Sequence, residues 1–434
     1  MHRAALVLCF AVACGSSLRD PARNEKVDAR MKTVPETYVK LVLALGKHDP
    51  GYVDAYYGPK EWQEAVDARP PSLPEIRAGA EALAAELRAS TADTELDDQR
   101  RRFLIRHLEA LVARVDIVSG KKMSFDDESR ALYDAVAPRI PEEHFDEISA
   151  KLASALPGDG PIAERLETFR KAFIVPRDRL DAVFRAAVDE CRGRTVRRLA
   201  LPAGESFTIE YVTNKPWSGY NWYKGQYRSV IQVNTDLPIY IDRALDLACH
   251  EGYPGHHAYN VLLENRLVNG RGWREMTVYP LYSPMSLIAE GTANYGVEVA
   301  FPGNERTEFE QRVLYPLAGI DPARAAEFNH VMQLLEELKH VNTQAARKRV
   351  DGELDAEATA AYLRRYGLLE ADRAKKYVQF IDAMRSYVIN YGHGLELVRA
   401  WITKQVGPNA PNEQRWEELE RLLTTPILPS DLGT

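Results

Sequence analysis

Three of the ten histidines lie close together, as His250, His256 and His257, and a glutamate, Glu251, directly follows the first of them. Neutral imidazoles are common ligands of Zn²⁺, and a carboxylate beside the bound ion can take a proton from its water. A solvated, histidine-rich helix end is the alternative, but the glycines and proline between the histidines give such a cluster no packing role. These residues therefore predict a hydrolytic zinc site with Glu251 as the general base.

The spacing leaves the second histidine ligand open. In the common His-Glu-x-x-His motif the ligands are four residues apart, but Pro254, which has no ligand atom, occupies that position here. A regular helix would bring His257 almost beneath His250, since seven residues make close to two turns. Pro254 and the glycines beside it weaken a regular helix, however, and a bulge would bring His256 there instead. Both histidines are therefore candidate ligands.

A catalytic zinc ion usually has three protein ligands, so a further donor is expected from a neighbouring element. Glu290 is the strongest candidate because it stands in a small and apolar helical stretch, where an unpaired buried carboxylate would be costly. Asn294, one turn further on, could orient a ligating imidazole, and Glu298 is an alternative donor. An exposed helical carboxylate is the plain alternative for Glu290.

These motifs resemble those of a widespread, largely uncharacterised bacterial family of gluzincin-like metallopeptidases. The resemblance rests on His250-Glu251, on Pro254-Gly255-His256-His257, and on Glu290-Gly291 before Ala293 and Tyr295. Thr292-Ala293-Asn294 departs from the family's Trp-Ala-Leu, and the C-terminal region matches only loosely. The resemblance implies a mostly helical, zincin-like fold, a zinc cofactor, and ligation by two histidines of the His-Glu helix and a downstream glutamate.

The resemblance also implies that the strand before the ligand helix is an edge strand that binds an extended substrate. We therefore expect Ile231 and Val233, which lie in that strand, to border a peptide or another amide substrate. A strand with a purely structural role is the plain alternative. Tyrosines could donate a hydrogen bond to a developing oxyanion, and an arginine could hold a substrate carboxylate. The candidates are Tyr295 and Tyr391 as catalytic residues, Tyr387 and Arg385 as substrate contacts, and Tyr253, although packing is the plain alternative for each tyrosine.

The elements that must position these residues are mostly helical. Apolar side chains recur at helical spacing between 104 and 118, and prolines and glycines mark breaks at 70–74, 138–141 and 157–161. Between 206 and 234 apolar residues alternate with polar ones, which predicts a small sheet. We predict a mainly α fold with a helical N-terminal region over 26–198. A zincin-like catalytic region over 199–434 would follow, with the small sheet preceding a metal-binding helix that begins at 238.

The composition excludes several classes of protein. The 434 residues include 63 acidic and 56 basic side chains, and the net charge of −7 argues against nucleic-acid binding. The mean hydropathy of −0.36 excludes multiple membrane spans. A basic start and a short apolar run predict a signal peptide over residues 1–14, and Cys14 resembles a lipoprotein cleavage site although Ala11 replaces the usual leucine. We expect export to the cell envelope, by simple secretion or with a lipid anchor on Cys14 as the only membrane attachment.

Cys191 and Cys249 are the two cysteines that lie outside this N-terminal segment. They could form a disulfide in an oxidising compartment, or they could be two buried thiols, since spacing does not determine pairing.

Three functions compete for this set of residues. The first is hydrolysis of an amide bond by a zinc-activated water. The second is a non-catalytic metal-binding or scaffolding lipoprotein of the envelope, which would have no need of Glu251. The third is a non-haem iron enzyme, because two histidines and one carboxylate also form a facial triad. The glutamate that follows the first ligand favours hydrolysis.

Overall fold

The structure is a computed structural model that describes residues 21–215 and 217–433. The predicted signal peptide over 1–14, including Cys14, lies outside the described residues. The fold is mainly helical, with 68% helix and only small sheets, so the predicted fold class is confirmed. Within the described ranges, no helix has the length and apolar character that crossing a lipid bilayer requires.

The elements run in the following order. The first part consists of α1 (Pro21–His48), β1 (Val53–Tyr56), α2 (Lys60–Ala68), α3 (Leu73–Ala89), α4 (Glu95–Val118), α5 (Phe125–Tyr133), α6 (Glu142–Ala155), α7 (Ile162–Lys171) and α8 (Leu180–Val196). The second part consists of β2 (Ser206–Val212), β3 (Gly219–Gly225), β4 (Arg228–Asn234), α9 (Ile241–Leu247), α10 (His256–Leu263), β5 (Val278–Pro280), α11 (Pro284–Ala300), α12 (Glu305–Phe309), α13 (Tyr315–Ala318), α14 (Ala325–Glu336), α15 (His340–Val350), α16 (Ala356–Tyr366), α17 (Ala371–Met384), α18 (Ile389–Val406) and α19 (Asn412–Thr424).

The proline-rich breaks at 70–74, 138–141 and 157–161 fall at the starts of α3, α6 and α7. At the first of them, the Ser72 backbone N–H donates to Glu75 Oε2 at 2.8 Å, which satisfies an otherwise unpaired group at the helix start. Proline is tolerated in a first helical turn because the N–H that it lacks would have no partner there. The local sequence therefore determines where these helices begin.

Two small sheets join distant parts of the chain. One is three-stranded, in the order β2-β4-β3, with β2 parallel and β3 antiparallel to β4. The other pairs β1 with β5 in antiparallel fashion, for example Tyr56 with Val278. This second pairing brings a strand from the N-terminal region, predicted over 26–198, to the elements that follow the histidines.

The strand order corrects the expectation for Ile231 and Val233. Both lie in β4, the central strand, whose backbone is hydrogen-bonded to a neighbour on either side. Their side chains are 4% and 1% exposed and form part of the core. A central strand has no free backbone edge on which to bind an extended peptide, so β4 cannot serve as the predicted substrate strand.

The histidine-bearing segment is not one regular helix. Helix α9 begins at Ile241, three residues after the predicted start, and passes into a π-helical turn, Ala248–Gly252. The helix is then interrupted before α10. The N–H of Gly255 bridges this interruption, since it donates to the carbonyl of Cys249 at 3.0 Å. A Cβ at this position would lie 1.8 Å from the carbonyl oxygen of His250, so only glycine fits.

Helix α11 lies in the middle of the second part and is buried along most of its length. Its closest neighbour is α18, and the two helices approach at Gly291 and Gly394. A Cβ on Gly291 would lie 2.5 Å from the carbonyl oxygen of Gly394. The absence of side chains at this crossing allows the two backbones to touch, which brings residues of α18 beside Glu290.

Replacing Gly291 by alanine should therefore push α11 and α18 apart. We expect a loss of roughly 1–3 kcal/mol in the free energy of unfolding, the usual cost of overpacking, measured by chemical denaturation. The matched control is Gly51→Ala, because Gly51 is exposed and no atom lies within 4 Å of an added Cβ. Alanine has the higher intrinsic helix propensity, so equal or greater stability of the Gly291 variant would contradict the steric argument.

Candidate metal centre

Three predicted ligands lie together where the π-helical turn faces α11. Ligand atoms of His250, His256 and Glu290 all lie within 4.8 Å of one another. Glu290 Oε2 is 3.1 Å from Nε2 of His250 and 3.6 Å from Nε2 of His256. The two imidazole rings are perpendicular, with centroids 4.6 Å apart. The arrangement matches a His-His-Glu donor set, the three protein ligands that a catalytic zinc ion usually has.

The carboxyl groups around the cluster favour a positive charge there. Burial raises the pKa of Glu290, but the two histidines lower it more, so this carboxyl is ionised. Burial lowers the pKa of His256, but the charges of Glu290 and Glu251 raise it to about 9. One carboxylate oxygen of Glu290, Oε2, is buried without a hydrogen-bond donor. Such an unsatisfied buried acceptor is costly, and a metal ion at this position would satisfy it.

His257, the other candidate ligand, faces away from this cluster. Its side chain is fully buried, with Nδ1 2.8 Å from Ser229 Oγ and Nε2 3.0 Å from Glu205 Oε2. The π-helical turn and the break at Pro254 shift the register that would have placed His257 beneath His250. The structure thus brings His256 to the cluster, the alternative that required a bulge in the helix. His257 instead forms buried contacts with Ser229 and Glu205, which we call the Glu205 anchor.

The anchor around Glu205 is a buried polar network. Tyr253 Oη donates to Glu205 Oε2, and the Arg192 guanidinium donates to Oε1 at 2.6 Å and 3.1 Å. Burial raises the pKa of Glu205, but His257, Tyr253 and Arg192 lower it below its usual range. Tyr253 was a candidate oxyanion donor, and the structure places its hydroxyl in this anchor instead.

A disulfide also joins α8 to the segment that carries His250 and His256. Cys191 in α8 is bonded to Cys249, the residue before His250, with a Cα–Cα distance of 5.6 Å. Of the two alternatives for these cysteines, the structure therefore has the disulfide. Because Arg192 follows Cys191, a single turn of α8 holds the ligand segment both covalently and through Glu205.

The ligands are oriented by neighbouring side chains. His250 Nδ1 lies 3.0 Å from Asn294 Oδ1, the orienting role predicted for this asparagine. The Asn294 amide nitrogen points to the carbonyl of Tyr391 at 3.4 Å, so the Asn294 oxygen accepts from His250 and leaves Nε2 of that imidazole free to bind a metal. Tyr387 Oη donates to Glu290 Oε1 at 2.8 Å, which fixes the carboxylate rather than contacting a substrate directly.

Glu251 lies beside the donor set, and it is not one of the three ligands. Its Oε2 is buried without a hydrogen-bond partner, and Gly219 packs against Oε1, where a Cβ would come within 2.9 Å. Asn221 Nδ2 donates to the Glu251 backbone carbonyl at 2.7 Å. Burial raises the pKa of Glu251, and the two histidines only partly oppose this, so the pKa is above its usual value. A carboxyl with a raised pKa holds a proton more readily than an exposed one, which suits a group that accepts a proton and returns it.

The remaining two tyrosines, Tyr391 and Tyr295, have different neighbours. Tyr391 interacts electrostatically with Glu290 and Glu251, and within the described residues its hydroxyl forms no hydrogen bond. Burial, with Glu290 next, raises its pKa well above the usual value, so the hydroxyl keeps its proton. Tyr295 faces the guanidinium of Arg415, and no contact joins it to the metal cluster in the described part of the chain. Its predicted catalytic role has no geometric support.

Two further expectations are corrected by ion pairs. Arg385, predicted to hold a substrate carboxylate, donates from Nε to Glu128 Oε2 at 2.7 Å. Glu128 is 1% exposed, and removing its partner would leave a buried charge unpaired. Glu298, the alternative metal donor, pairs instead with Arg399 at the surface.

Asp54 and Tyr220 belong to the site but were not found by sequence reasoning. Asp54, in β1, interacts electrostatically with His256, Glu290 and Glu251, and its Oδ1 accepts a hydrogen bond from Tyr220 Oη. Asp54 lies almost two hundred residues before the histidines, and no local motif marks it. Only the pairing of β1 with β5 brings it to the cluster.

Comparison with known proteins shows a likeness of fold. No family model and no curated protein matches the chain. A solved structure from Colwellia psychrerythraea, described as a "putative lipoprotein", matches with a TM-score of 0.52 and 14% identity over 86% of this chain and 71% of that chain. A second solved structure, from Shewanella oneidensis, is described as a "putative lipoprotein of unknown function". It matches with a TM-score of 0.48 and 11% identity over 96% of this chain and 79% of that chain.

The geometry predicts which histidines bind metal. The purified protein should contain one zinc ion per chain by elemental analysis, and His256→Ala or Glu290→Ala should lose it, because each removes one of three ligands. His330→Ala is the matched control, since His330 is exposed on α14. Full zinc occupancy in both ligand variants would contradict the site. Iron in place of zinc would favour the facial-triad alternative.

Proposed function

We propose that this protein is a zinc-dependent hydrolase that cleaves amide bonds in peptides. The observation that carries the proposal is Glu251, whose carboxyl interacts electrostatically with His250, His256 and Glu290 and has one buried oxygen, Oε2, without a hydrogen-bond partner in the described residues. A carboxylate that only balanced charge would be expected to have a hydrogen-bond partner. An unpartnered oxygen next to a metal site is instead suited to receive a proton from water.

Zinc held by the three ligands would polarise a substrate carbonyl and lower the pKa of a water molecule. Glu251 Oε2 would accept a proton from the water as its oxygen bonds to the carbonyl carbon, and would donate that proton to the nitrogen of the leaving amine as the C–N bond breaks. The Tyr391 hydroxyl, protonated and without another partner in the described residues, donates to the oxygen of the carbonyl as negative charge develops there. Asn294 and Tyr387 keep His250 and Glu290 in position.

The extended substrate would lie on β3 rather than on β4. Strand β3 is at the end of the three-stranded sheet, so one side of its backbone is not paired with another strand of that sheet. Asn221 and Gly219, both in β3, contact Glu251. A peptide that adds to this edge would therefore place its backbone next to the general base.

A second candidate function is a non-catalytic metal-binding or scaffolding lipoprotein of the envelope. The comparisons support this alternative more directly than they support hydrolysis, because the protein from Colwellia psychrerythraea is described as a lipoprotein and not as a hydrolase. That description, the predicted signal peptide and the Cys191–Cys249 disulfide also support export to the cell envelope. The two functions differ in whether Glu251 is needed.

Glu251→Gln should abolish peptide hydrolysis and leave zinc bound, because glutamine keeps the shape of the side chain but cannot accept the proton. We expect turnover of a peptide library to fall by roughly 10²–10⁴-fold, with unchanged zinc content by elemental analysis. Glu298→Gln, at the surface pair with Arg399, is the matched control and should retain activity. If the wild-type protein binds zinc but cleaves no peptide, the non-catalytic alternative is supported.

Tyr391→Phe and Tyr295→Phe form a second matched pair. Loss of the Tyr391 hydroxyl should lower kcat by roughly 10²–10³-fold, the usual effect of removing one oxyanion donor. Loss of the Tyr295 hydroxyl, which faces Arg415, should change kcat little. Steady-state kinetics on one peptide decide the matter, and equal kcat values for the two variants would exclude Tyr391 from this role.

A further inference from the structure

Asp54 is a partly buried carboxylate beside the metal cluster that the proposed mechanism does not use. The pairing of β1 with β5 fixes its backbone, since the next residue, Ala55, pairs with Tyr279. Tyr220 Oη donates to Asp54 Oδ1 and fixes the carboxylate itself. Two different elements, β1 and β3, thus hold one carboxylate at the edge of the site.

The second oxygen of this carboxylate accepts no hydrogen bond from residues 21–215 and 217–433. Within the described residues, the Tyr220 hydroxyl is the one hydrogen-bond donor to Asp54, and no lysine or arginine lies within ion-pair distance of it. Glu298, by contrast, is paired with Arg399. Asp54 Oδ2 is therefore available to a group that the described protein does not supply.

The charges around Asp54 favour a positive group. Burial, followed by Glu290 and Glu251, raises the pKa of Asp54 to about 6, although Tyr220 and His256 lower it. Arg243 acts on Glu251, but it is paired with Asp246 at 3.4 Å. A positive group of a ligand at Asp54 would therefore face the carboxyl groups of Asp54, Glu251 and Glu290.

We propose that Asp54 binds a primary ammonium group of the substrate close to the scissile carbonyl. The ammonium would donate to Oδ2 while Tyr220 holds Oδ1, a charge-assisted hydrogen bond in a partly buried site. An α-amino group and a lysine side chain share this chemistry. The inference rests on the proposed function, and it makes the substrate a peptide with a free amino group beside the bond that is cleaved.

The test uses three hydroxamates, which bind zinc alike and differ in their amino groups. Leucine hydroxamate carries an α-ammonium, Nα-acetyl-lysine hydroxamate carries a side-chain ammonium, and N-acetyl-leucine hydroxamate carries none. Their dissociation constants for the zinc-loaded protein are measured by titration calorimetry. We expect one of the two ammonium probes to bind roughly 10- to 100-fold more tightly than the probe without an ammonium, and which one it is identifies the source of the amino group.

Asp54→Asn should remove this preference, measured within the variant as the ratio of its affinities for the ammonium probe and for N-acetyl-leucine hydroxamate. Tyr220→Phe keeps the carboxylate but loses its orientation, so we expect a smaller reduction of the preference. Asp159→Asn, at an exposed loop position, is the matched control. Thermal unfolding verifies that each variant is folded, and the comparison of the three probes on the wild-type protein does not depend on any variant.

The outcomes separate this inference from the proposed function. If the wild-type protein binds zinc and all three hydroxamates with equal affinity, Asp54 does not bind an ammonium group, although the zinc site stands. If an ammonium probe is preferred equally by the wild type and Asp54→Asn, another residue is responsible and the inference is overturned. If the protein binds no zinc, the proposed function fails and the inference fails with it.

Discussion

The ionised carboxylate of Glu290, buried on a helix that has little contact with solvent, is the constraint on which the site depends. A buried charge is tolerated only when other groups compensate it. His250 and His256 face it within ion-pair distance and could hold a metal with it, and Tyr387 provides a hydrogen bond. The close approach of α11 and α18 at Gly291 and Gly394 is what brings Tyr387 and Tyr391 near this carboxylate.

The segment that carries His250 and His256 is held by α8 as well as by its contacts with α11. A π-helical turn and an interrupted helix have little stability of their own, because they lack the regular hydrogen bonds of an α-helix. Helix α8 supports them through the Cys191–Cys249 disulfide and through Arg192, which binds the carboxylate of Glu205. Glu205 in turn binds His257. The second histidine of the Pro-Gly-His-His motif thus stabilises the conformation that presents the first.

Much of the architecture followed from local sequence. The helical class and the breaks at 70–74, 138–141 and 157–161 depend on apolar periodicity and on proline, whose effects act within a few residues. The cluster of His250, Glu251 and His256, and the need for a distant carboxylate, could also be inferred because imidazole and carboxylate chemistry is a property of the side chains. The boundary between a helical N-terminal region and a catalytic region stays a prediction.

Tertiary structure decided what local patterns do not encode. Which histidine faces Glu290 depends on a break whose geometry is set by Gly255 and by packing against α8, and regular helix geometry would have favoured His257. The place of β4 at the centre of its sheet follows from pairing with strands on both sides, which its own alternation does not specify. Asp54 reaches the site only because β1 pairs with β5 across more than half of the chain. The sequence by itself determined which side chains could bind a metal and move a proton; long-range pairing, burial and charge compensation determined which of them meet.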